Sequence, residues 1–192
     1  AMQGCDVVMH LAALIAIPYS YHSPDTYIDT NVKGTLNVVH AARELGVERM
    51  VHTSTSEVYG TARFVPITEE HPLQGQSPYA ASKIGADQMA QSFFSSFNTP
   101  VATIRPFNTY GPRMQPDDGR VVSNFIVQAM AGRELTVYGT GSQTRSFCYI
   151  DDTVEALVRL MATPHEVTGP MNIGNPHEIS VRELAERIMR LV

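Results

Sequence analysis

Val47-Glu48-Arg49-Met50-Val51-His52-Thr53-Ser54-Thr55-Ser56-Glu57-Val58-Tyr59-Gly60 opens as a short, largely apolar run and closes on a cluster of hydroxyls. Residues 47–53 read as a buried strand, and the Ser/Thr cluster marks where it stops. Upstream, Asn31 to Gly46 reads as a helix, with Leu36, Val39 and Leu45 on its apolar stripe and Gly46 as its stop signal. Further upstream, Asp6-Val7-Val8-Met9-His10-Leu11-Ala12-Ala13 reads as another strand leading into small residues, and a polar stretch with Tyr and Pro, Ile17 to Asp29, separates it from that helix. Downstream, Ser77 to Phe97 reads as a long helix with Pro78 in its first turn, where a missing N–H costs little. Val101 to Arg105 is a third strand, closed by Pro106.

Strand–helix–strand–helix–strand, with strands apolar on both faces, predicts an α/β fold: a parallel sheet with helices on both faces. In such sheets ligands sit beyond the carboxyl ends of the strands. The polar positions obey that rule: His10 after the first strand, Thr53 to Glu57 after the second, Asn108 after the third.

The character changes at Gly111. Pro112, Pro116 and Gly139-Thr140-Gly141 interrupt the chain around a helix expected near Val121 to Ala131. Leu135 to Tyr138 and Phe147 to Ile150 read as strands, and Asp151-Asp152 reads as the cap of the helix that follows. Ser180-Val181-Arg182-Glu183 is a capping box opening a last helix. This part is expected to be a smaller lobe interleaved with the sheet.

The chain has 192 residues, 43% hydrophobic and 17% charged, which describes a globular protein with one well-buried domain. A net charge of −5 without a basic run argues against a nucleic-acid partner. No apolar run approaches the roughly 20 residues of a membrane span. The first residues lack the charged flank and apolar core of a signal peptide, so a cytoplasmic protein is expected. Cys5 and Cys148 have no C-x-x-C spacing and read as ordinary buried or half-buried thiols. The histidines are not spaced as metal ligands, and no metal is expected.

Tyr79-Ala80-Ala81-Ser82-Lys83 carries the chemistry. Residues four apart on a helix share a face, a turn above each other. An ammonium there favours the phenolate, so a Tyr with a reference pKa of about 10 becomes a base nearer neutrality. That pair suits removal of a proton from an alcohol while its carbon gives up hydride.

Together with His10-Leu11-Ala12-Ala13, Asn31-Val32-Lys33-Gly34-Thr35, Ser54 to Gly60, Arg105 to Arg113, Thr144-Arg145 and Tyr149 to Asp152, this run resembles the extended short-chain dehydrogenase/reductases, the NAD-dependent epimerase/dehydratase family. The first hundred or so residues are similar to 4,6-dehydratases of UDP-N-acetylhexosamines. The run Asp118 to Phe125, with Leu135 to Gly139 and Gly141 to Phe147, is more similar to UDP-glucuronate decarboxylases.

The resemblance implies a partial Rossmann-like sheet in residues 1–110, with the catalytic helix, and a nucleotide-sugar-binding lobe in residues 111–192. It implies NAD as cofactor, reduced and reoxidised within one turnover, and a nucleotide-sugar substrate, a UDP-sugar foremost. Tyr79 then takes the proton from the sugar 4-hydroxyl, Lys83 lowers the Tyr79 pKa and bonds the nicotinamide ribose, and Thr55 holds the 4-oxygen. Glu57 stands where the dehydratases keep the base that removes the C5 proton. Ser56 replaces the Asp that protonates the leaving hydroxyl in many dTDP-glucose dehydratases, though Thr-Ser-Glu also occurs in GDP-mannose dehydratases and in the decarboxylases. Leu11, Ala12, Ala13, Asn31, Thr53, Ser54 and Pro106 join Tyr79 and Lys83 as the implied cofactor contacts. Asn108, Arg120, Val121, Tyr138 and Arg145 are the implied substrate contacts, the arginines for the diphosphate. His10 is expected to organise backbone on the cofactor side, Tyr59 to pack, and Arg105 and Arg113 to be structural. Glu57 has a plainer alternative, a strand-end carboxylate pairing a lysine.

No G-x-x-G-x-x-G or G-x-G-x-x-G occurs, and no acidic residue closes a strand ahead of His10. Units of βαβ type, on the order of 60 residues, are therefore expected ahead of Ala1, and several tens more beyond Val192. The strand before His10 is expected to be a sheet edge, and a homodimer is expected through the helices of Asn31–Gly46 and Tyr79. The readings that follow are 4,6-dehydration of a UDP-hexose, with UDP-glucuronate decarboxylation or 4-epimerisation as alternatives. A fourth is a catalytically silent remnant that binds nucleotide-sugar or dimerises.

Overall fold

The computed structural model describes residues 2–116 and 118–192. In chain order it contains β1 (Val7–His10), α1 (Ile17–His22), α2 (Pro24–Tyr27), a π-helical turn (Ile28–Lys33), α3 (Gly34–Leu45), β2 (Arg49–Thr53), a 3-10 turn (Ser56–Tyr59), α4 (Pro78–Phe97), β3 (Val101–Pro106), β4 (Thr109–Tyr110), α5 (Val121–Met130), β5 (Thr144–Ser146), β6 (Cys148–Tyr149), α6 (Ile150–Met161), β7 (Met171–Ile173), β8 (Glu178–Ser180) and α7 (Val181–Leu191). Two compact units emerge, Ala1–Pro106 with Val154–Ile173, and Phe107–Thr153 with Gly174–Val192.

The first unit is built on a parallel sheet of order β1-β2-β3-β7. Register aligns His10 with His52 and Thr53 with Ile104, so the strand ends lie level. The central strands β2 and β3 are buried almost throughout, because helices cover both faces. On one side Val39 and Ala42 of α3 and Ala90 and Phe93 of α4 pack with Met50 and Val101. On the other, Leu157 and Leu160 of α6 pack with Val51, Ala102 and Ile104. Each large apolar side chain buried this way contributes on the order of 1.5–3 kcal/mol. β1 is an edge, with Val7 and Met9 exposed. Arg49, buried at the start of β2, donates to the Val167 carbonyl at 2.6 Å and the Thr163 hydroxyl at 2.7 Å, fixing the chain after α6.

α4 begins where its sequence says it should. The Ser77 hydroxyl accepts the Ala80 N–H at 3.0 Å, satisfying one orphan donor, and Pro78 occupies the first turn. It ends at Asn98, in the left-handed region at φ 55°.

In the second unit β4 pairs with β6 in parallel and β5 with β8 antiparallel. Its core joins Val122 and Phe125 of α5 to Val181, Leu184, Ala185 and Ile188 of α7. Gly111 lies against Ile150 so closely that a Cβ there would run into that side chain.

Four local expectations need correction. The stretch Ile17 to Asp29 is helical, because Pro18 and Pro24 fall in first turns, where no N–H is missed. Leu135 to Tyr138 joins no ladder: the Gln128 side chain accepts the Thr136 N–H at 3.0 Å and donates to its hydroxyl at 3.2 Å, taking the place of a neighbouring strand. The capping box is half made, since Ser180 Oγ accepts the Glu183 N–H at 3.0 Å while the Glu183 carboxylate accepts from Arg187 at 2.7 Å. Cys5 is exposed, while Cys148 is buried as expected.

Candidate active site

The parallel order brings the ends of β1, β2 and β3 side by side in the first unit, and the implied catalytic residues gather around the end of β2. Lys83 Nζ donates to the Thr53 carbonyl at 2.7 Å, tying α4 to that strand end. The side chain is 4% exposed, and burial pushes its pKa down from 10.5 to about 8, against the opposing attraction of Asp87. Tyr79, one turn earlier, is also buried and meets the Tyr27 ring edge-on at 6.3 Å. Tyr27 is itself fixed by its hydroxyl, which donates to the Ala16 carbonyl at 2.6 Å.

The 3-10 turn Ser56–Tyr59 packs on α4. Thr55 caps it, its hydroxyl oxygen accepting the Glu57 N–H at 3.2 Å, which leaves its own O–H to donate elsewhere. Ser56 is half-buried and Glu57 exposed. The chain's two lysines are taken up away from Glu57, Lys83 by Thr53 and Lys33 by Asp29, so the lysine-paired reading of Glu57 is not what is seen.

Asn31 is fully enclosed in the π-helical turn. Its Oδ1 accepts the Leu14 N–H at 2.8 Å, and its Nδ2 donates to the Leu14 carbonyl at 3.0 Å and to Ser82 Oγ at 2.9 Å. Ser82 in turn donates to the Tyr79 carbonyl at 2.8 Å. A widened helical turn of this kind recurs at functional sites.

His10 Nε2 lies 3.0 Å from Thr35 Oγ1, and its ring is 5.5 Å from that of His52. Burial, and then the Lys83 charge, lower His10 from 6.5 to about 4 and also push His52 well below its ordinary range, so both rings are neutral at pH 7. The Thr53 and Ser54 hydroxyls are buried without a protein partner. Leu11 and Ala12 are exposed, Ala13 and Pro106 half-buried, at the same sheet end. Orphaned hydroxyls beside an ammonium with donors to spare form a set that fits the hydroxyls and amide of a nicotinamide riboside.

A side-chain network that the sequence did not announce, joining Asp87 and Asn172 to Arg105 and Tyr59, completes the site's support. Arg105 Nε donates to Asp87 Oδ2 at 2.9 Å and its Nη2 to Oδ1 at 3.1 Å, while its Nη1 donates to the Tyr59 hydroxyl at 2.9 Å. Tyr59 donates onward to Asn172 Oδ1 at 2.7 Å, and the Asn172 N–H donates to Glu69 at 2.6 Å. Burial raises the Tyr59 pKa, opposed by Arg105. Arg105 is structural, as expected; Tyr59 is a hydrogen-bonding relay as well as packing. The partners stand 18 to 113 positions apart, so only the acidic side chain two turns beyond Tyr79 hinted at the network.

The implied substrate contacts all belong to the second unit. Asn108 Nδ2 donates to the Ser146 carbonyl at 3.3 Å, and Arg145 Nη1 to the Thr144 carbonyl at 2.7 Å. The Arg120 N–H donates to Asp118 Oδ1 at 2.9 Å, and its Nε is 3.5 Å from Oδ2. Val121 packs on the local core, and Tyr138 is 80% exposed. Among the described residues no three His, Cys, Asp or Glu side chains group as metal ligands, and no helix is long and apolar enough to cross a membrane.

The sheet and the Tyr–Lys helix at its strand ends define a Rossmann-like α/β protein. The chain belongs to the NAD dependent epimerase/dehydratase family, whose model matches residues 1–174. It is 45% identical to UDP-glucuronic acid decarboxylase 6 of Arabidopsis thaliana, across 97% of this chain and 55% of that one. Among solved structures it is similar to a dTDP-glucose 4,6-dehydratase from Streptomyces venezuelae with NAD bound: TM-score 0.89, 31% identity, 98% of this chain and 58% of that one. A UDP-glucuronic acid 4-epimerase from Bacillus cereus, solved with UDP-glucuronic acid and NAD, gives TM-score 0.90 and 29% identity over 99% of this chain and 60% of that one. The chain spans about half the length of the curated relatives it matches.

Proposed function

We propose that this chain belongs to an enzyme that oxidises a UDP-sugar at C4 and acts on the resulting 4-ketone. The observation that carries this is the buried Lys83 bonded to the end of β2 one turn below Tyr79, with Thr55 and Glu57 in the turn that packs on the same helix. NAD, when bound, supplies the hydride acceptor. Tyr79, held as the phenolate by the Lys83 ammonium, takes the 4-hydroxyl proton and becomes a phenol, while Thr55 donates its free O–H to the 4-oxygen. Thr53 and Ser54 offer their orphaned hydroxyls to the cofactor, and Asn31 holds the Leu11 to Leu14 loop in place.

Two fates of the ketone compete. It acidifies the C5 proton, which Glu57 is proposed to remove, leading to 4,6-dehydration of a hexose. In a uronic acid it makes the C6 carboxylate part of a β-keto acid, which loses carbon dioxide. The 41–45% identities to UDP-glucuronic acid decarboxylases favour the second fate, and Ser56, a poor acid for a leaving hydroxyl, agrees. Arg120 and Arg145 are proposed to meet the diphosphate, Asn108 the sugar, Val121 and Tyr138 the base, and a second copy to dock on the α3 and α4 helices.

Product mass from a panel of UDP-sugars tests this. Loss of carbon dioxide from UDP-glucuronate is the expected result, loss of water from a UDP-hexose marks a dehydratase, and unchanged mass with altered stereochemistry marks an epimerase. Tyr79→Phe is expected to abolish turnover; full turnover would overturn the proposal. Glu57→Gln is expected to spare an epimerase and disable a dehydratase.

A further inference from the structure

Tyr79, Lys83, Asp87 and Gln91 recur every four residues along α4, one beneath another on a single face. Asp87 is completely buried, gripped on both oxygens by the Arg105 fork and bonded at Oδ1 by the Gln91 amide. A tie between α4 and β3 does not by itself call for charges. Apolar residues of similar volume in place of a buried ion pair are often neutral or stabilising. What an apolar pair would not provide is a carboxylate one turn from a buried ammonium.

The groups that face Lys83 make Asp87 its counter-charge. From its own helix come Tyr79 and Asp87, from β2 the Thr53 carbonyl and His52, and from β1 His10. Both histidines shed their protons through burial and supply no negative charge. Arg105 spends its charge on Asp87 and donates from Nη1 to the Tyr59 hydroxyl, which helps to anchor the pair.

We propose that Asp87, anchored by Arg105, is a positioning residue that holds Lys83 in its charged form beneath Tyr79. The inference rests on the reading of Tyr79 and Lys83 as the catalytic pair. Burial drives the Lys83 ammonium toward neutrality, and the value of about 8 already includes the opposing attraction of Asp87. At pH 7.5 a group of pKa 8 is about three-quarters charged, and one lowered by a further unit about one-quarter. A fall of that size on loss of Asp87 leaves most molecules without the promoting charge at the pH of turnover.

The test is a direct titration of Lys83. Protein labelled with carbon-13 at lysine Cε gives resonances that titrate residue by residue, and the one that disappears in Lys83→Met belongs to Lys83. Lys83 is expected to titrate near 8 in the wild type, to fall by about one pH unit or more in Asp87→Asn, and to stay near the wild-type value in Asp87→Glu. Asp87→Asn/Arg105→Gln removes both buried charges, leaves no unpaired guanidinium, and is expected to fall likewise. Lys83 titrating at its wild-type pH in the double variant would overturn the proposal. With the ammonium charge lost, the Tyr79 phenolate forms only at higher pH, so the acid limb of the pH–kcat profile should move toward alkaline pH in each variant whose Lys83 titration falls. Turnover that survives Lys83→Met would instead remove the catalytic pair, and the titration separates that failure from this one.

Discussion

Acid should weaken this fold before its carboxylates are neutralised, and His10 sets the size of the effect. Burial, and then the Lys83 charge, lower His10 from 6.5 to about 4. Between those values the unfolded chain binds a proton that the folded chain refuses, so the unfolded state gains stability as pH falls. A difference of about 2.5 pH units at 1.36 kcal/mol each gives roughly 3 kcal/mol lost between pH 6.5 and 4. His52, lowered by burial and by Lys83 and His10, adds to the loss in the same direction. Against a typical stability of about 5–15 kcal/mol, that is a large fraction. Among the described residues the groups that act on the His10 ring are Thr35 from α3, His52 from β2 and Lys83 from α4, none of them an acid that would favour its proton. The assay is urea unfolding followed by circular dichroism at pH 7, 6, 5 and 4.5, in the wild type and in His10→Gln, which keeps a hydrogen-bonding group near Thr35. The wild type should lose stability across this window and the variant distinctly less. Equal slopes for the two, or a His10 ring that titrates near 6.5 in the folded protein, would refute the reasoning.

Lys83 predicts the mirror effect at alkaline pH: with a folded value of about 8 against 10.5 unfolded, the fold gains stability as pH rises between them, roughly 3 kcal/mol in all. The stability advantage of Lys83→Met over the wild type should therefore shrink from pH 8 to 10.5 in paired thermal melts. Arg105→Met strands the Asp87 carboxylate and should cost about 3–5 kcal/mol in urea unfolding, whereas Arg105→Met with Asp87→Leu should recover most of that. Ser77→Ala removes the α4 cap and should cost about 1 kcal/mol by the same measurement, with Ser77→Asp close to wild type.

The sheet and α4 were legible because each is announced locally. Strands of four to six residues, apolar on both faces, follow from burial under helices, and Ser77-Pro78 starts a helix by chemistry that needs no partner elsewhere. The Tyr79–Lys83 pair was visible for the same reason, since four positions on a helix fix a shared face. Ile17 to Asp29 was opaque because its prolines signal a break unless their place in a first turn is known. Leu135 to Tyr138 alternates as a strand does, yet a side chain of α5 satisfies Thr136, and alternation says nothing about who the partner is. The linkage of Asp87, Arg105, Tyr59 and Asn172 was beyond reach because it joins α4, β3, the turn after β2 and β7. Only the folded topology brings those four segments within 3 Å.

Asn31 has a mechanical consequence. Its single amide gives Leu14 the acceptor and the donor that an adjoining strand would give, and the same nitrogen holds Ser82. The loop beyond β1 is thus latched to α4, so the two must travel together. Any tilt of α4 on the sheet would carry the Leu14 backbone with it, and the exchange rate of the Leu14 amide hydrogen becomes a local gauge of how firmly Tyr79 and Lys83 are held.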